Sequence, residues 1–172
     1  SCPPPREDVM ADESKLPLLP VFRFQIDFYE TSANRDQAGS NTSVPLCSGA
    51  FSECTGLEAT MEPFVIRPGG LNYGAIQRVG KVTFATVILR RGMTTTRHLW
   101  RWFSLVTADG AYAYRLDAKV TMFDHTGNPQ LHWRLARALP IKFKAADLNA
   151  VSVNIGIEEL HLAHEGLTLE ES

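Results

Sequence analysis

Between residues 112 and 124 the chain carries its clearest alternation of side chains. Tyr112, Tyr114, Leu116, Ala118, Val120 and Met122 fall on one side; Ala113, Arg115, Asp117, Lys119 and Thr121 fall on the other. A repeat of two belongs to a β-strand with one buried face. At about 3.3 Å per residue it extends roughly 40 Å, about twice a usual strand. His125-Thr126-Gly127-Asn128 reads as a turn, and Leu131, Trp133 and Leu135 resume the alternation on a return strand. The pattern predicts a long hairpin, apolar on one face and mixed in charge on the other, able to reach past its own domain and join a neighbouring sheet. Pro140 is expected to break the return strand before 141–143.

The flanking segments extend this picture. Phe24, Ile26 and Phe28 alternate with Arg23, Gln25, Asp27 and Tyr29, which predicts a strand from Phe22 onward. Residues 31–45 are rich in Ser, Thr, Asn and Gly and read as a long exposed loop. Strand regions are expected at 57–66, ended by Pro68-Gly69-Gly70, and at 82–89, closed by Gly92. One helix interrupts them: Thr94, Thr95 and Thr96 offer capping hydroxyls, and Leu99, Trp102, Phe103 and Val106 make one apolar stripe. Ala108-Asp109-Gly110 supplies its stop. Trp100 lies off the stripe, to be covered by a strand edge or left for a partner.

The last strand is expected to begin with Val151, Val153, Ile155 and Ile157, with a parity flip to Leu160 and Leu162. The flip marks a bulge or a change of packing partner near Glu158-Glu159. The fold class is therefore mainly β: an antiparallel β-sandwich or open barrel with one flanking α-helix.

A chain of 172 residues fits one domain with a real core. Residues 1–20, Pro-rich and charged, read as an N-terminal arm, either disordered or ordered along a neighbouring subunit; 21–172 form the domain. The net charge of -2 lends no support to phosphate-backbone binding. No apolar run approaches the roughly 20 residues that span a bilayer, and the first residues lack the apolar stretch of a secretory signal. Cys2, Cys47 and Cys54 contain no C-x-x-C pair, and a Cys47–Cys54 bridge is not expected.

Candidates for chemistry are weak. His161 and His164 are three apart in a strand-like run, which sends the rings to opposite faces instead of pairing them on a metal. His98, His125 and His132 have no partner at ligand spacing. The cysteines lack a local base, there is no G-x-S-x-G elbow, and the glycines match no phosphate-binding loop. No enzyme, cofactor or metal is expected. Arg90, Arg91, Arg97 and Arg101 form the one locally basic region, either a solvated face or a contact for acidic groups on an outer partner.

Several short segments, taken in order, carry a resemblance. They are Phe51-Ser52-Glu53-Cys54-Thr55-Gly56-Leu57, Gly69-Gly70-Leu71-Asn72, Leu89-Arg90-Arg91-Gly92, the tryptophans Trp100 and Trp102, Ala138-Leu139-Pro140-Ile141-Lys142, and the closing 157–167. From about Phe22 to Leu167 the chain resembles the tail-tube proteins of contractile phages and of extracellular contractile injection systems. The resemblance implies a non-enzymatic subunit whose strands join into a hexameric ring barrel, with rings stacked around a channel for DNA or protein cargo. It makes Arg115, Asp117, Lys119 and Thr121 candidates for the channel wall. Gly69, Gly70, Asn72, Tyr73 and Arg78 become a ring-stacking loop, and Arg97, Trp100 and Arg101 a helix facing the sheath. Implied partners are further copies, the contractile sheath, and baseplate and tube-terminating proteins, with no membrane insertion by this chain. Assembly is expected in the bacterial cytoplasm, and the finished particle is a phage tail or a phage tail-like particle open to release from the cell. Pro68, where many relatives carry an acid, and the long 31–45 loop raise the alternative of a specialised initiator or terminal ring. A secreted tube-like effector, a small-molecule-binding β-barrel and a hydrolase are the other classes weighed.

Overall fold

A computed structural model describes residues 21, 23–31, 51–70, 74–108, 114–151 and 153–171. The N-terminal arm, nearly all of the 31–45 loop, Cys2, Cys47, Asn72, Tyr73, Tyr112 and the Asp109-Gly110 stop lie outside them. Among the described residues eleven strands and one helix follow in order: β1 (Phe24–Glu30), β2 (Glu53–Thr55), β3 (Ala59–Met61), β4 (Phe64–Ile66), β5 (Ile76–Arg78), β6 (Val82–Phe84) and β7 (Val87–Gly92). Then come α1 (His98–Thr107), β8 (Leu116–Phe123), β9 (Pro129–Lys144), β10 (Ile157–Ala163) and β11 (Gly166–Glu171).

The main sheet has seven strands, all antiparallel, and branches at β9. One edge of β9 pairs with β8, whose other edge carries β1. The opposite edge pairs with β10 over Leu139 to Lys144 and with β11 over Leu131 to Ala136. From β10 the sheet continues to β7 and β2. Apolar faces from both halves meet in a single core: Ile26, Phe28, Val87, Leu89, Leu116, Ala118, Val120, Leu135, Leu160 and Leu162, closed by Leu99, Trp102 and Val106 of α1. The mainly antiparallel fold with one flanking helix is as the periodicity predicts.

Several details differ from the sequence reading. The longest strand is β9, with 16 residues, whereas β8 has 8. Pro140 does not break β9, because the ladder to β10 is irregular between His161 and Leu162, opposite Pro140 to Lys142. A bulge tolerates the missing N–H. The expected strand from 151 starts at Ile157; Val151, Val153 and Ile155 are exposed and unpaired. Parity within β10 is unbroken, with Glu158, Leu160 and Leu162 all buried, so no bulge sits at 158–159, and the preceding apolar set of Val151, Val153, Ile155 and Ile157 is exposed. Finally, the threonines before α1 do not cap it: Arg97 holds the N-cap position with no side-chain cap hydrogen bond, and Thr94 and Thr96 bond each other.

The expected strand at 57–66 resolves into β3 and β4, which pair with β6 and β5 to make a two-stranded arm. Its base is sharp. Gly56 has φ +88, and a Cβ there would lie 2.1 Å from the Thr86 carbonyl oxygen, so only glycine fits.

The two helix tryptophans separate core from surface. Trp102 is fully buried with its ring 5.3 Å from Phe28, whereas Trp100 is 49% exposed and rests on Phe143 of β9. Trp102→Ala is expected to cost about 3–5 kcal/mol, and Trp100→Ala much less. Urea denaturation of the two variants checks this.

Candidate channel face and assembly surfaces

The half-sheet β1–β8–β9–β11 turns its apolar side to the core, so strand alternation forces a polar set onto its other side. Asp117, Lys119 and Thr121 of β8 stand there opposite Tyr29, Asp27 and Gln25 of β1. Lys119 and Thr121 also stand opposite Arg134 and His132 of β9, and these face Thr168 and Glu170 of β11. The strand elements thus bring three of the four channel candidates together. Arg115 precedes β8 and pairs instead with Glu165 at 2.8 Å, a carboxylate it shares with Arg137 at 2.7 Å. Sequence reading of β8 alone missed the contributions of β9 and β11, because pairing register is set by partners far along the chain. The polar parity of Gln25, Asp27 and Tyr29 was visible.

Charges on this face are largely cancelled within it. Arg134 donates to Asp117 at 3.0 Å and lies 3.8 Å from Glu170, and Thr121 shares a 3.1 Å hydrogen bond with His132. Asp117 and Thr121 are buried, though on the side away from the core. Asp117 has a structural task. Between Leu116 and Ala118 the ladder shifts, three residues of β9 passing two of β8, and Arg137 takes up the slack at φ 51. The Arg137 backbone N–H, turned out of the ladder, donates to Asp117 Oδ1 at 3.0 Å. A non-glycine residue in the left-handed region is held only by such fixed partners. On this face, burial followed by the neighbouring Asp27 carboxylate raises the Tyr29 phenol.

The other half-sheet removes two arginines from the basic cluster proposed from sequence. Arg91 and Glu158 form a buried ion pair between β7 and β10. Arg90 is held at 2.9 Å by both Glu53 and Glu159. Only Arg97 and Arg101 of the four are exposed without a side-chain partner among the described residues, on α1 beside Trp100. The stacking candidates Gly69, Gly70 and Arg78 lie on the arm and are exposed.

The described cysteine and two of the histidines are engaged in packing and hydrogen bonds. Burial pushes the Cys54 thiol up to about 11, which disfavours a thiolate nucleophile. His161 bonds Glu159, and His164 bonds the Gly166 carbonyl and packs on Phe84. Among the described residues no group of three His, Cys, Asp or Glu could hold a metal ion. None of the described helices is long and apolar enough to cross a membrane.

Two experiments test the electrostatics. Asp117→Ala leaves the Arg137 N–H and Arg134 without their acceptor and is expected to cost about 1–3 kcal/mol. Lys119→Ala should stay within about 0.5 kcal/mol; denaturant midpoints compare the pair. The His161 and then the Arg90 hydrogen bonds lower Glu159 from 4.5 to about 2. A carboxyl depressed on folding stabilises above its unfolded pKa and loses that contribution as pH falls through the folded value. Glu159→Gln should therefore flatten the loss of thermal stability between pH 4.5 and about 2, measured by melting temperature across that range.

No curated protein sequence matches the chain. Among solved structures it is similar to a chain in the anti-feeding prophage (AFP) baseplate, 6-fold symmetrised. That likeness has a TM-score of 0.73 at 22% identity and covers 91% of this chain and 97% of that one. A chain in the PVC sheath-tube complex of an extracellular contractile injection system, in the extended state, matches with TM-score 0.68 and 16% identity over 90% and 93%. A chain of the AFP tube terminating cap matches with TM-score 0.70 and 15% identity over 96% and 99%. At such identities these likenesses speak for the fold alone. The sequence itself is matched over residues 20–168 by the family model described as T4-like virus tail tube protein gp19. An antiparallel sheet with a polar outer face, a protruding arm and one flanking helix is thus the form taken here by a member of the T4-like tail tube protein family.

Proposed function

We propose that this chain builds hexameric rings that stack into the inner tube of a contractile phage tail or contractile injection system. The observation that carries the reading is the half-sheet β1–β8–β9–β11. Among the described residues, its outermost strands β1 and β11 have no partner on their outer edges. Open edges invite pairing with another chain. Joining β11 of one copy to β1 of the next repeats a head-to-tail contact, and rotation closes such a contact into a ring. Closure satisfies both of these edges and turns the polar set of Asp27, Asp117, Lys119, Thr121, Arg134 and Glu170 toward the bore, where water covers it. The six-fold symmetry of the AFP baseplate, which contains a similar chain, supports six as the ring number.

The partners follow from the remaining surfaces. Arg97, Trp100 and Arg101 on α1 are exposed and suit a contact with the sheath. DNA or protein would pass through the bore, the chain itself being passive and catalysing nothing. Baseplate and terminating proteins meet the ends of the stack. Assembly belongs in the producing cell's cytoplasm, and function in the finished particle. A specialised initiator or terminal ring is the second reading, favoured by the likeness to chains of a baseplate and a tube-terminating cap.

The ring is tested at its edge. Leu169 of β11 is half exposed on the apolar side of the sheet, where a neighbour's β1 would cover it. Light scattering after size exclusion is expected to give about six times the 19.1 kDa chain mass for the native protein and a single chain for Leu169→Asp. A native protein that runs as one chain at every concentration would overturn the proposal.

A further inference from the structure

Within one copy the strands of the half-sheet β1–β8–β9–β11 stand abreast. Leu169 of β11 is opposite Trp133 of β9, which is opposite Val120 of β8, which is opposite Ile26 of β1. Thr168, Arg134, Lys119 and Asp27 make the next row. A sheet closes into a barrel only when its strands tilt and its register steps by a fixed amount. Copies related by rotation keep one height, so the step falls where β11 of one copy meets β1 of the next. Faces must match across that contact, and the step is therefore an even number of residues. Its direction is left to the charges on the two edge strands.

On the polar side each edge carries unlike signs at its two ends. Toward the end of β11, Glu170 and Asp117 share one base, Arg134, at 3.8 and 3.0 Å. At its start, beside Gly166, Arg115 and Arg137 share one acid, Glu165, at 2.8 and 2.7 Å. The first group has an anion in excess and the second a cation. On β1 the order is Arg23 and then Asp27, four residues apart, as Gly166 and Glu170 are on β11. Arg23 extends the β1 ladder, its carbonyl accepting the Phe123 N–H at 3.0 Å. Its Nη1 donates to the His125 carbonyl at 3.2 Å, and a guanidinium has five N–H donors to divide among acceptors. Asp27 stands opposite Lys119 but forms no ion pair among the described residues; its carboxylate accepts from Gln25 Nε2 at 2.9 and 3.1 Å.

We infer that β11 of one copy pairs with β1 of the next in the register that sets Glu170 opposite Arg23, Thr168 opposite Gln25 and Gly166 opposite Asp27. This is a step of two residues from the row that the strands keep within a copy. The anion-rich end of β11 then meets a guanidinium, and Asp27 reaches the Arg115–Glu165–Arg137 group. On the apolar side Leu169 falls opposite Phe24. A step of two the other way sets Glu170 opposite Asp27, and like charges directly opposite destabilise a strand pair. A step of four in the favoured direction sets Arg23 opposite Thr168 and Gln25 opposite Gly166, so neither charged end stands opposite its counterpart. The inference rests on the ring reading and adds to it the register at which neighbouring copies lock.

Gln25→Cys combined with Thr168→Cys keeps every one of these charges and sets two thiols opposite each other between copies. Within a copy three strand spacings part them, roughly 14 Å, too far for a disulfide. Mild oxidation of such rings is expected to give a ladder of linked chains on a denaturing gel, absent from either single variant. Tyr29→Cys with Thr168→Cys, the pair for the opposite step, should give none. Arg23→Glu and Glu170→Arg should each raise the concentration needed for rings about tenfold, read by light scattering after size exclusion, and the two together should recover most of the loss. A ladder from the Tyr29 and Thr168 pair would overturn the inference and leave the ring standing. So would native rings with no Gln25–Thr168 ladder and no effect of the single reversals. A native protein that forms no rings at any concentration would overturn both.

Discussion

A strand of 16 residues carries more backbone donors and acceptors than a single neighbour of ordinary length can satisfy, and β9 organises the molecule around that demand. β8 covers part of one edge; β10 and β11, consecutive in the chain, share the other. Because both halves of the branched sheet include β9, their apolar faces are committed to one core. The helix then has a single place to go, with Leu99, Trp102 and Val106 inward. The bulges at Arg137 and Pro140 are where the two halves change register. They bend the sheet without interrupting it.

Charge follows the same economy. Two arginines of the basic region read from the sequence are tied to carboxylates across strands, Arg90 to Glu53 and Glu159 and Arg91 to Glu158, and Arg134 is tied likewise to Asp117. A buried pair such as Arg91–Glu158 is costly to break on one side only, so it favours this pairing of β7 with β10 over a slipped one. On the polar face the same cancellation leaves no strong field of either sign. As the channel wall proposed above, such a face would suit the passage of a polymer better than its capture.

What the sequence made legible was local. Alternation marked β1, β8 and β10, a 3.6-residue stripe marked α1, and the His125–Asn128 turn fell where the chain reverses, its Asp124 carboxylate capping Thr126 and Asn128. What stayed hidden depended on partners distant along the chain. Pro140 reads as a breaker until β10 is seen to shift opposite it. Arg90 reads as a free cation until Glu53 and Glu159 are brought to it from 37 and 69 residues away. Val151 to Ile155 carry a strand's pattern with no strand to join among the described residues, and the pattern was right about burial only if the cover comes from elsewhere. The polar face was half legible: β8 announced its parity, but the company it keeps on β9 and β11 is a matter of register.

The arm and the 145–157 connection sit at opposite ends of β7, the one beside Val87 and the other beside Gly92, and give the subunit a direction. Any filament made by repeating it must finish with naked hairpins at one terminus and naked valines at the other. Any protein closing one terminus would meet an exposed aromatic hairpin, and any protein closing the other a row of exposed aliphatic side chains. A particle built on this chain can tell its front from its back before any other component arrives.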